Sequence, residues 1–296
     1  MPEELKQDFE DDIKSDTDLT SDYMEQINQS FRQMLKNPTD KEIERHRKTR
    51  DALIAAWLAS FFKNIEEQLY IFAQRGIDEA DKQLNKKNIT EVKEKNITVK
   101  TFENQVKQRQ TSNEEDVILV SQSIKTNSEN VINQLVSSPI ANTFEEKKTI
   151  ASDLAADLVE KGISFFYDRA GRRYSIAEYI NMKVMTETIN AERIAFFTRA
   201  VQYGVDLVRI VHLNLHPTCE LCAPFEGRIL SIRGVTEGYM SLEEASMQGL
   251  FHPRCDHIPE ELELAPIDNG KDGEITLNEA NKKRYEYNQK RGFRMF

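Results

Sequence analysis

Apolar positions along this chain recur mostly at three- and four-residue steps, the period of a helix with one buried face. The clearest run lies between Asp40 and about Asn85, where Leu53, Ile54, Trp57, Leu58, Phe61, Phe62, Ile65, Leu69 and Phe72 form one broad stripe with the only tryptophan near its middle. Core packing is the expected fate of that stripe, with a docking face for another subunit's helix as the alternative. Gly76 and the Asn85-Lys-Lys-Asn88 run are expected to break or end the element. Further on, Thr111-Ser-Asn-Glu-Glu115 reads as a helix start, with Ser112 as cap and Glu115 three residues later. Val117, Val120, Ile124, Val131, Ile132 and Leu135 mark its buried face, and Ser137-Ser-Pro139 closes it. Ile150, Leu154, Leu158 and Val159 place another helix over 144–161, stopped by Gly162.

The period then changes. From Ile163 to Ser175, aromatic residues flank an Asp168–Gly171 turn, the pattern of a β-hairpin or tight aromatic loop. Ser175-Ile-Ala-Glu178 is a capping box, and the helix it opens continues through Met182, Val184, Ile189 and Phe197 to Gly204. Val205 to His212 alternates and is β-branched, so it reads as a strand.

Sparse Gly and Pro (11 and 8 in 296 residues) agree with long helices rather than a many-turned β architecture. The expected fold class is therefore mainly α, with long N-terminal helices and a small α+β C-terminal module. The expected organisation is an acidic flexible arm over 1–40, a helical region over 41–162, a core carrying a Cys/His knuckle over 163–265, and a linker with a basic helix or tail over 266–296. The arm is read from residues 1–22, where nine Asp or Glu face only Lys6 and Lys14. No apolar run approaches the ~20 residues of a membrane span, and Met-Pro-Glu-Glu-Leu-Lys lacks the features of a signal peptide. Three cysteines make no closed disulfide framework, which points to synthesis and retention in a reducing cytoplasm. The net charge of −10 argues against a protein that coats duplex DNA over its whole surface, and leaves room for a local basic patch.

The chemistry is concentrated between His212 and His257, which holds all three cysteines and four of the five histidines. Cys219-Glu-Leu-Cys222 is a tight pair, and His252-Pro-Arg-Cys255-Asp-His257 is a second cluster about thirty residues on. Two short turns facing each other give the tetrahedron of thiolate and imidazole that a structural zinc ion takes. Cys219, Cys222 and Cys255 are the expected ligands. His252 repeats the two-residue gap of the first pair, yet Pro253 can fix it as a packing or supporting residue, so the fourth place leans to His257 with His252 as its rival. A metal-free module with reduced thiols is the plainer alternative. His212 and His216 read as strand-end or surface histidines.

Catalytic patterns are weak. A zinc deaminase needs His-x-Glu before Pro-Cys-x-x-Cys, and here Thr218 precedes Cys219 with no such histidine upstream. A zincin His-Glu-x-x-His is absent, and Glu226 alone is thin support for a general base. The chain is read as a non-enzyme without a small-molecule substrate. Beyond the knuckle, Pro259–Pro266 reads as an acidic linker. Asp268–Glu279 resembles a calcium loop but has Gly270 at a ligand position, so a turn feeding a Thr276-x-x-Glu279 capping box is preferred. The end of the chain, with Lys282, Lys283, Arg284, Lys290, Arg291 and Arg294 among Tyr and Phe, suits either phosphate contact with base stacking or packing on a neighbouring subunit.

Several linked motifs resemble a known family. They are Phe166-Tyr-Asp-Arg-Ala-Gly-Arg-Arg-Tyr-Ser-Ile-Ala-Glu-Tyr-Ile-Asn-Met182, Gly204-Val-Asp-Leu-Val208, Cys219-x-x-Cys222-Ala-Pro-Phe-Glu-Gly227, Ser231-Ile-Arg-Gly234 and Gly249-Leu-Phe-His-Pro-Arg-Cys-Asp-His257, in that order. Over roughly residues 160–260 the chain looks like the minor capsid protein 2 group of phages, related to head-morphogenesis proteins of the phage Mu F type. One position departs: Met185-Thr186 stands where the family commonly has Arg-Thr. The resemblance implies a few-copy component of the virion head, made in the host cytoplasm and assembled with the portal or major capsid protein at the portal vertex; some relatives touch packaged DNA or leave with it. The rival reading is a zinc-knuckle protein that binds or processes nucleic acid.

Overall fold

The computed structural model describes residues 3–94, 99–137, 163–167, 171–213, 217–263 and 275–291. The expected helix over 144–161, the tip of the Asp168–Gly171 turn, His216, the 268–274 loop and Arg294 fall outside these residues. The described elements are α1 (Glu3–Lys36), α2 (Asp40–Lys86), α3 (Val99–Ser137), β1 (Phe165–Tyr167), β2 (Arg173–Ser175), α4 (Ile176–Gln202), β3 (Leu207–His212), β4 (Ile229–Ser231), α5 (Leu242–Met247), β5 (His257–Glu263) and α6 (Glu279–Arg291). The protein is mainly α with small sheets. Among the described residues, no helix is long and apolar enough to cross a membrane.

The chain forms two compact units, Asp11–Glu66 with Gln110–Val184, and Met1–Glu10 with Glu67–Arg109 and Met185–Phe296. Both draw on α1, α2, α3 and α4, so the units interleave along the sequence instead of following the consecutive segments expected from it. The supposed arm is also corrected. Residues 3–36 are helix, and Thr20, Met24, Ile27, Phe31, Met34 and Leu35 are buried at helical spacing. The acidic residues that suggested solvation obscured that face in the composition.

In the first unit, Ile27 and Phe31 of α1, Ile54, Trp57 and Phe61 of α2, and Ile124 and Ile132 of α3 are all essentially inaccessible. Each such side chain contributes roughly 1.5–3 kcal/mol by leaving water. The Trp57 indole N–H donates to the buried Thr20 hydroxyl at 3.1 Å, which removes the polar cost of burying the ring. α3 starts at Val99, not at Thr111, because no Gly or Pro interrupts 99–137. The hairpin is as expected: Phe165 pairs with Ser175 and Tyr167 with Arg173. The capping box also forms, with Glu178 N–H donating to Ser175 Oγ at 3.2 Å.

In the second unit β3 is the central strand of an antiparallel β4-β3-β5 sheet. Ala80 and Leu84 of α2, Phe196 and Ala200 of α4, and Val208, Ile210, Leu230 and Leu262 of the sheet share one buried cluster. Gly76 does not end α2. An added Cβ there would lie 2.2 Å from the Glu192 carbonyl oxygen, so the glycine lets α2 and α4 approach backbone to backbone. The stretch read as an acidic linker from Pro259 is instead strand β5. Pro259 and Leu262 face the core while Glu260 and Glu261 face out, and Gln83 of α2 accepts from Leu262 N–H at 2.8 Å and donates to the Glu260 carbonyl. α6 is capped by a reciprocal Asn278–Asn281 pair (3.0 and 3.2 Å), not by Thr276 and Glu279.

A buried polar knot in the first unit makes stability depend on pH. His46 on α2 contacts Ser30 Oγ at 3.0 Å through Nδ1 and Ser128 Oγ at 2.9 Å through Nε2. Burial, then the neighbouring Arg50, push its pKa down from 6.5 to about 4. Beside it, bidentate hydrogen bonds from Arg47 hold Glu129 at about 2. His46 is thus neutral in the fold, whereas the unfolded chain takes up a proton below 6.5. The stabilisation is full above that pH and is lost as pH falls toward 4, about 3 kcal/mol in all. Urea unfolding at pH 7 and pH 4.5 is expected to show a larger acid loss in the wild type than in His46→Gln, by about 2 kcal/mol. Equal losses would contradict this.

Candidate metal centre

The candidate centre is built by two turns at the end of the β3 template. Leaving β3, the chain forms a turn in which Cys222 N–H donates to the Cys219 carbonyl at 3.1 Å and Ala223 N–H to the same oxygen at 3.0 Å. One turn of 3-10 helix, Ala223–Phe225, follows, with Pro224 in its first positions and Phe225 buried beneath it. Gly227, at φ 71°, then reverses the chain, and its N–H donates to the Ile210 carbonyl at 2.7 Å as β4 returns along β3.

The second turn has the same closure. Cys255 N–H donates to the His252 carbonyl at 2.9 Å, as Cys222 does to Cys219. Phe251 and Arg254 take left-handed φ values of 62° and 64°, a strained choice for residues other than glycine. Arg254 N–H is held by the Thr186 hydroxyl at 3.1 Å, so Thr186, next to the departing position Met185, supports this turn. The chain then enters β5 at His257, which pairs with His212 of β3.

These turns bring the predicted residues together. Cys219 Sγ lies 2.9 Å from His252 Nε2, and Cys222 Sγ lies 3.6 Å from Cys255 Sγ. Cys255 Sγ is also 3.6 Å from His257 Nδ1. All three cysteines are free thiols. Cys219, Cys222 and His252 form one group whose donor atoms lie within 4.8 Å of one another; Cys222, Cys255 and His257 form another. With Zn–S near 2.3 Å, tetrahedral geometry puts two sulfurs about 3.8 Å apart, so the Cys222–Cys255 separation suits a shared ion. The two histidines differ in how they are held. His252 Nδ1 is 2.6 Å from the Pro253 carbonyl, which fixes that nitrogen as the donor and leaves Nε2, the atom facing Cys219, bare. His257 is buried and turns Nδ1 toward the Cys255 sulfur.

A residue the sequence reading missed sits behind the cluster. Arg193 of α4 is 2 % exposed. Its Nε donates to the His257 carbonyl at 2.7 Å and its Nη2 to the Cys255 carbonyl at 2.6 Å, and its guanidinium lies 4.2 Å over the Phe251 ring. Burial pulls its pKa down, while the Cys255 and Cys222 sulfurs pull it back up. Burial pushes the Cys255 thiol up, but the hydrogen bond from Cys222, the Arg193 charge and His257 outweigh it and hold the thiol well below its ordinary range. Cys222, hydrogen-bonded to Cys255 and buried, is pushed the other way. The two thiols are thus pushed in opposite directions across one 3.6 Å contact. Arg193 was legible in part: it falls on the Ile189–Phe196–Ala200 face of α4, where a basic residue is out of place.

Of the predicted basic residues, Lys282, Lys283, Arg284, Lys290 and Arg291 fall on α6, and this helix is a clamp. Asn278 donates to the Glu220 carbonyl at 2.7 Å, and Asn281 to the Leu221 and Gln248 carbonyls at 2.8 and 2.9 Å. Asn288 donates to the Met247 carbonyl at 3.0 Å. Lys282, Lys283 and Lys290 are exposed, and Arg284 is half-buried with its guanidinium near the Tyr287 ring. Arg291 is the last residue of α6; its side chain and all of Arg294 lie outside the described residues. His212, expected at a strand end or on the surface, does end β3, but its side chain is buried, with Nε2 2.8 Å from Asp256 Oδ1.

A family model described as phage minor capsid protein 2 matches residues 12–291 of the 296. The match reaches well beyond the 160–260 stretch that carries the motifs and takes in the helices on its N-terminal side. No curated protein matches the chain, and no solved structure does.

Removing Arg193 leaves two buried carbonyls and two sulfurs without their cation. Arg193→Ala is expected to cost about 3 kcal/mol, measured as a lower urea midpoint for the full chain. A loss below about 1 kcal/mol would show that the guanidinium is not what holds this corner.

Proposed function

Since the chain belongs to the phage minor capsid protein 2 family, we propose that its structural role in the phage head is exercised at the portal vertex, through contacts with the portal or major capsid protein. The mechanism is scaffolding by binding, without catalysis, in virions assembled in the host cytoplasm. The knuckle unit supplies a rigid surface, and its rigidity comes from a structural zinc ion.

Cys219, Cys222, Cys255 and His252 are the residues that would hold the zinc. The observation that carries this reading is the matched closure of the two turns, with Cys222 N–H on the Cys219 carbonyl and Cys255 N–H on the His252 carbonyl. Each turn thereby turns its first and fourth residues toward the other, Cys219 to His252 and Cys222 to Cys255. The donor chemistry agrees: soft thiolates with one imidazole suit zinc. Three thiolates and a dication leave one net negative charge, and Arg193 stands behind Cys255 with one positive charge. When bound, the ion cross-links the turns, since four protein donors leave no position for substrate. On this reading His257 supports the Cys255 sulfur, and the preference between the two histidines falls to His252 because its Nδ1 is already anchored on Pro253.

Exposed apolar side chains support a partner-binding role. Val235 and Tyr287 are 66 % and 48 % exposed in the knuckle unit, and Leu119 is 63 % exposed on α3. A second reading, contact with packaged DNA, is favoured by one observation: the asparagines of α6 bind the knuckle while Lys282, Lys283 and Lys290 remain exposed. Truncating α6 would unclamp the knuckle, so the readings are best separated by charge. Co-expressed with the portal protein of the same phage, the wild-type chain and a Lys282→Gln/Lys283→Gln/Lys290→Gln variant are both expected to co-purify with the portal ring, and Cys219→Ser/Cys255→Ser is not. A chain absent from the ring, with duplex binding that falls steeply with salt and vanishes in the lysine variant, would replace the assembly reading with the nucleic-acid one.

A further inference from the structure

The four-ligand reading leaves His257 over, and its surroundings form a second cluster. His257 opens β5 and pairs across the sheet with His212, the last residue of β3. Their ring centroids are 4.7 Å apart. Asp256, buried between Cys255 and His257, places Oδ1 2.8 Å from His212 Nε2. One donor atom from each of His212, Asp256 and His257 lies within 4.8 Å of the other two.

Two details point to a ligand there. His212 Nδ1 lies 3.1 Å from the Thr218 hydroxyl, which itself donates to Glu226 Oε2 at 3.1 Å. With its proton committed to Glu226, Thr218 accepts from His212 Nδ1–H, so Nε2 is the nitrogen turned to Asp256, and at 2.8 Å a proton or a metal ion has to stand between it and the carboxylate. A backing hydroxyl–carboxylate chain of this kind is how proteins orient a metal-bound imidazole. His257 Nε2 is buried and has no hydrogen-bond partner among the described residues. The contact with Asp256 accounts for His212 but leaves the His257 nitrogen unexplained.

We propose that His212, Asp256 and His257 form a second metal site, distinct from the thiolate centre, that takes a divalent first-row transition ion. Two imidazoles and one carboxylate are harder donors than the cysteines and suit zinc, iron(II) or manganese(II). Three protein ligands leave at least one coordination position for water or a small anion, unlike a closed structural site. The proposal rests on the four-ligand reading only in that His257 is not consumed there.

Native mass spectrometry of the full chain, stripped of metal and titrated with zinc, tests it. The wild type is expected to saturate at two ions, His212→Ala and Asp256→Asn at one, and Cys219→Ser/Cys255→Ser at one. Because a variant can lose its fold, cobalt(II) on the wild type gives an independent readout: the second equivalent should add ligand-field absorption without adding thiolate-to-metal charge transfer. Saturation at one ion that is lost in Cys219→Ser/Cys255→Ser and kept in His212→Ala overturns the second site and leaves the first standing. Saturation at one ion with the reverse pattern overturns the four-ligand centre and leaves the second site. Two ions retained in both His212→Ala and Asp256→Asn, or a second cobalt equivalent that adds thiolate charge transfer, also overturn the proposal.

Discussion

Cysteine sulfurs gathered in a buried corner repel one another as thiolates, and as thiols they make weak hydrogen-bond partners. Cys222, Cys255 and His257 are each buried to within a few per cent, and Cys219 and His252 stand at their edge. A positive charge relieves that repulsion. Arg193 supplies one from behind, through two backbone carbonyls, and its charge helps hold the Cys255 thiol below its ordinary range. The proposed zinc ion supplies the rest at the centre, and the other features of the module are arranged around holding the donors in place.

That holding is done almost entirely by backbone carbonyls. Arg193 fixes those of Cys255 and His257, Asn281 those of Leu221 and Gln248, and Asn278 that of Glu220. Amide and guanidinium groups used this way set the turn geometry and leave the sulfur and imidazole donors untouched. They also tie both turns to elements far away in sequence, α4 and α6. A small sheet of three short strands buries little on its own, so cross-links of this kind are what such a module requires. For a structural protein of a phage head, a rigid surface matters more than a large core. A match spanning 12–291 shows that the interleaved helices and the module belong to one family unit.

The sequence announced the helices and the cysteine turns, and each for a physical reason. The Trp57 stripe, the Ser175–Glu178 box and the Val205–His212 alternation are local patterns, and local patterns survive without tertiary context. Other features were set by distant partners. Gly76 looked like a helix breaker because its reason, the Glu192 carbonyl on α4, lies more than a hundred residues away. The Pro259–Glu263 strand looked like a linker because its pairing partner is β3 and its side-chain partner is Gln83. The acidic composition of the first residues masked the helical face to which Thr20, Met24 and Ile27 belong. At the centre itself the spacing named the Cys and His residues that the fold brings together. The choice between His252 and His257 depends on what the other ring nitrogen touches, which spacing does not encode.

The account stands on one ion joining the Cys219–Cys222 turn to the His252–Cys255 turn. Zinc-edge X-ray absorption on the metal-stripped full chain, reloaded with a single equivalent of zinc, reads the donors directly. The prediction is three sulfurs at about 2.3 Å and one nitrogen at about 2.0 Å, with one sulfur fewer in Cys219→Ser. Failure to retain zinc, or a shell of nitrogen and oxygen alone, would contradict it.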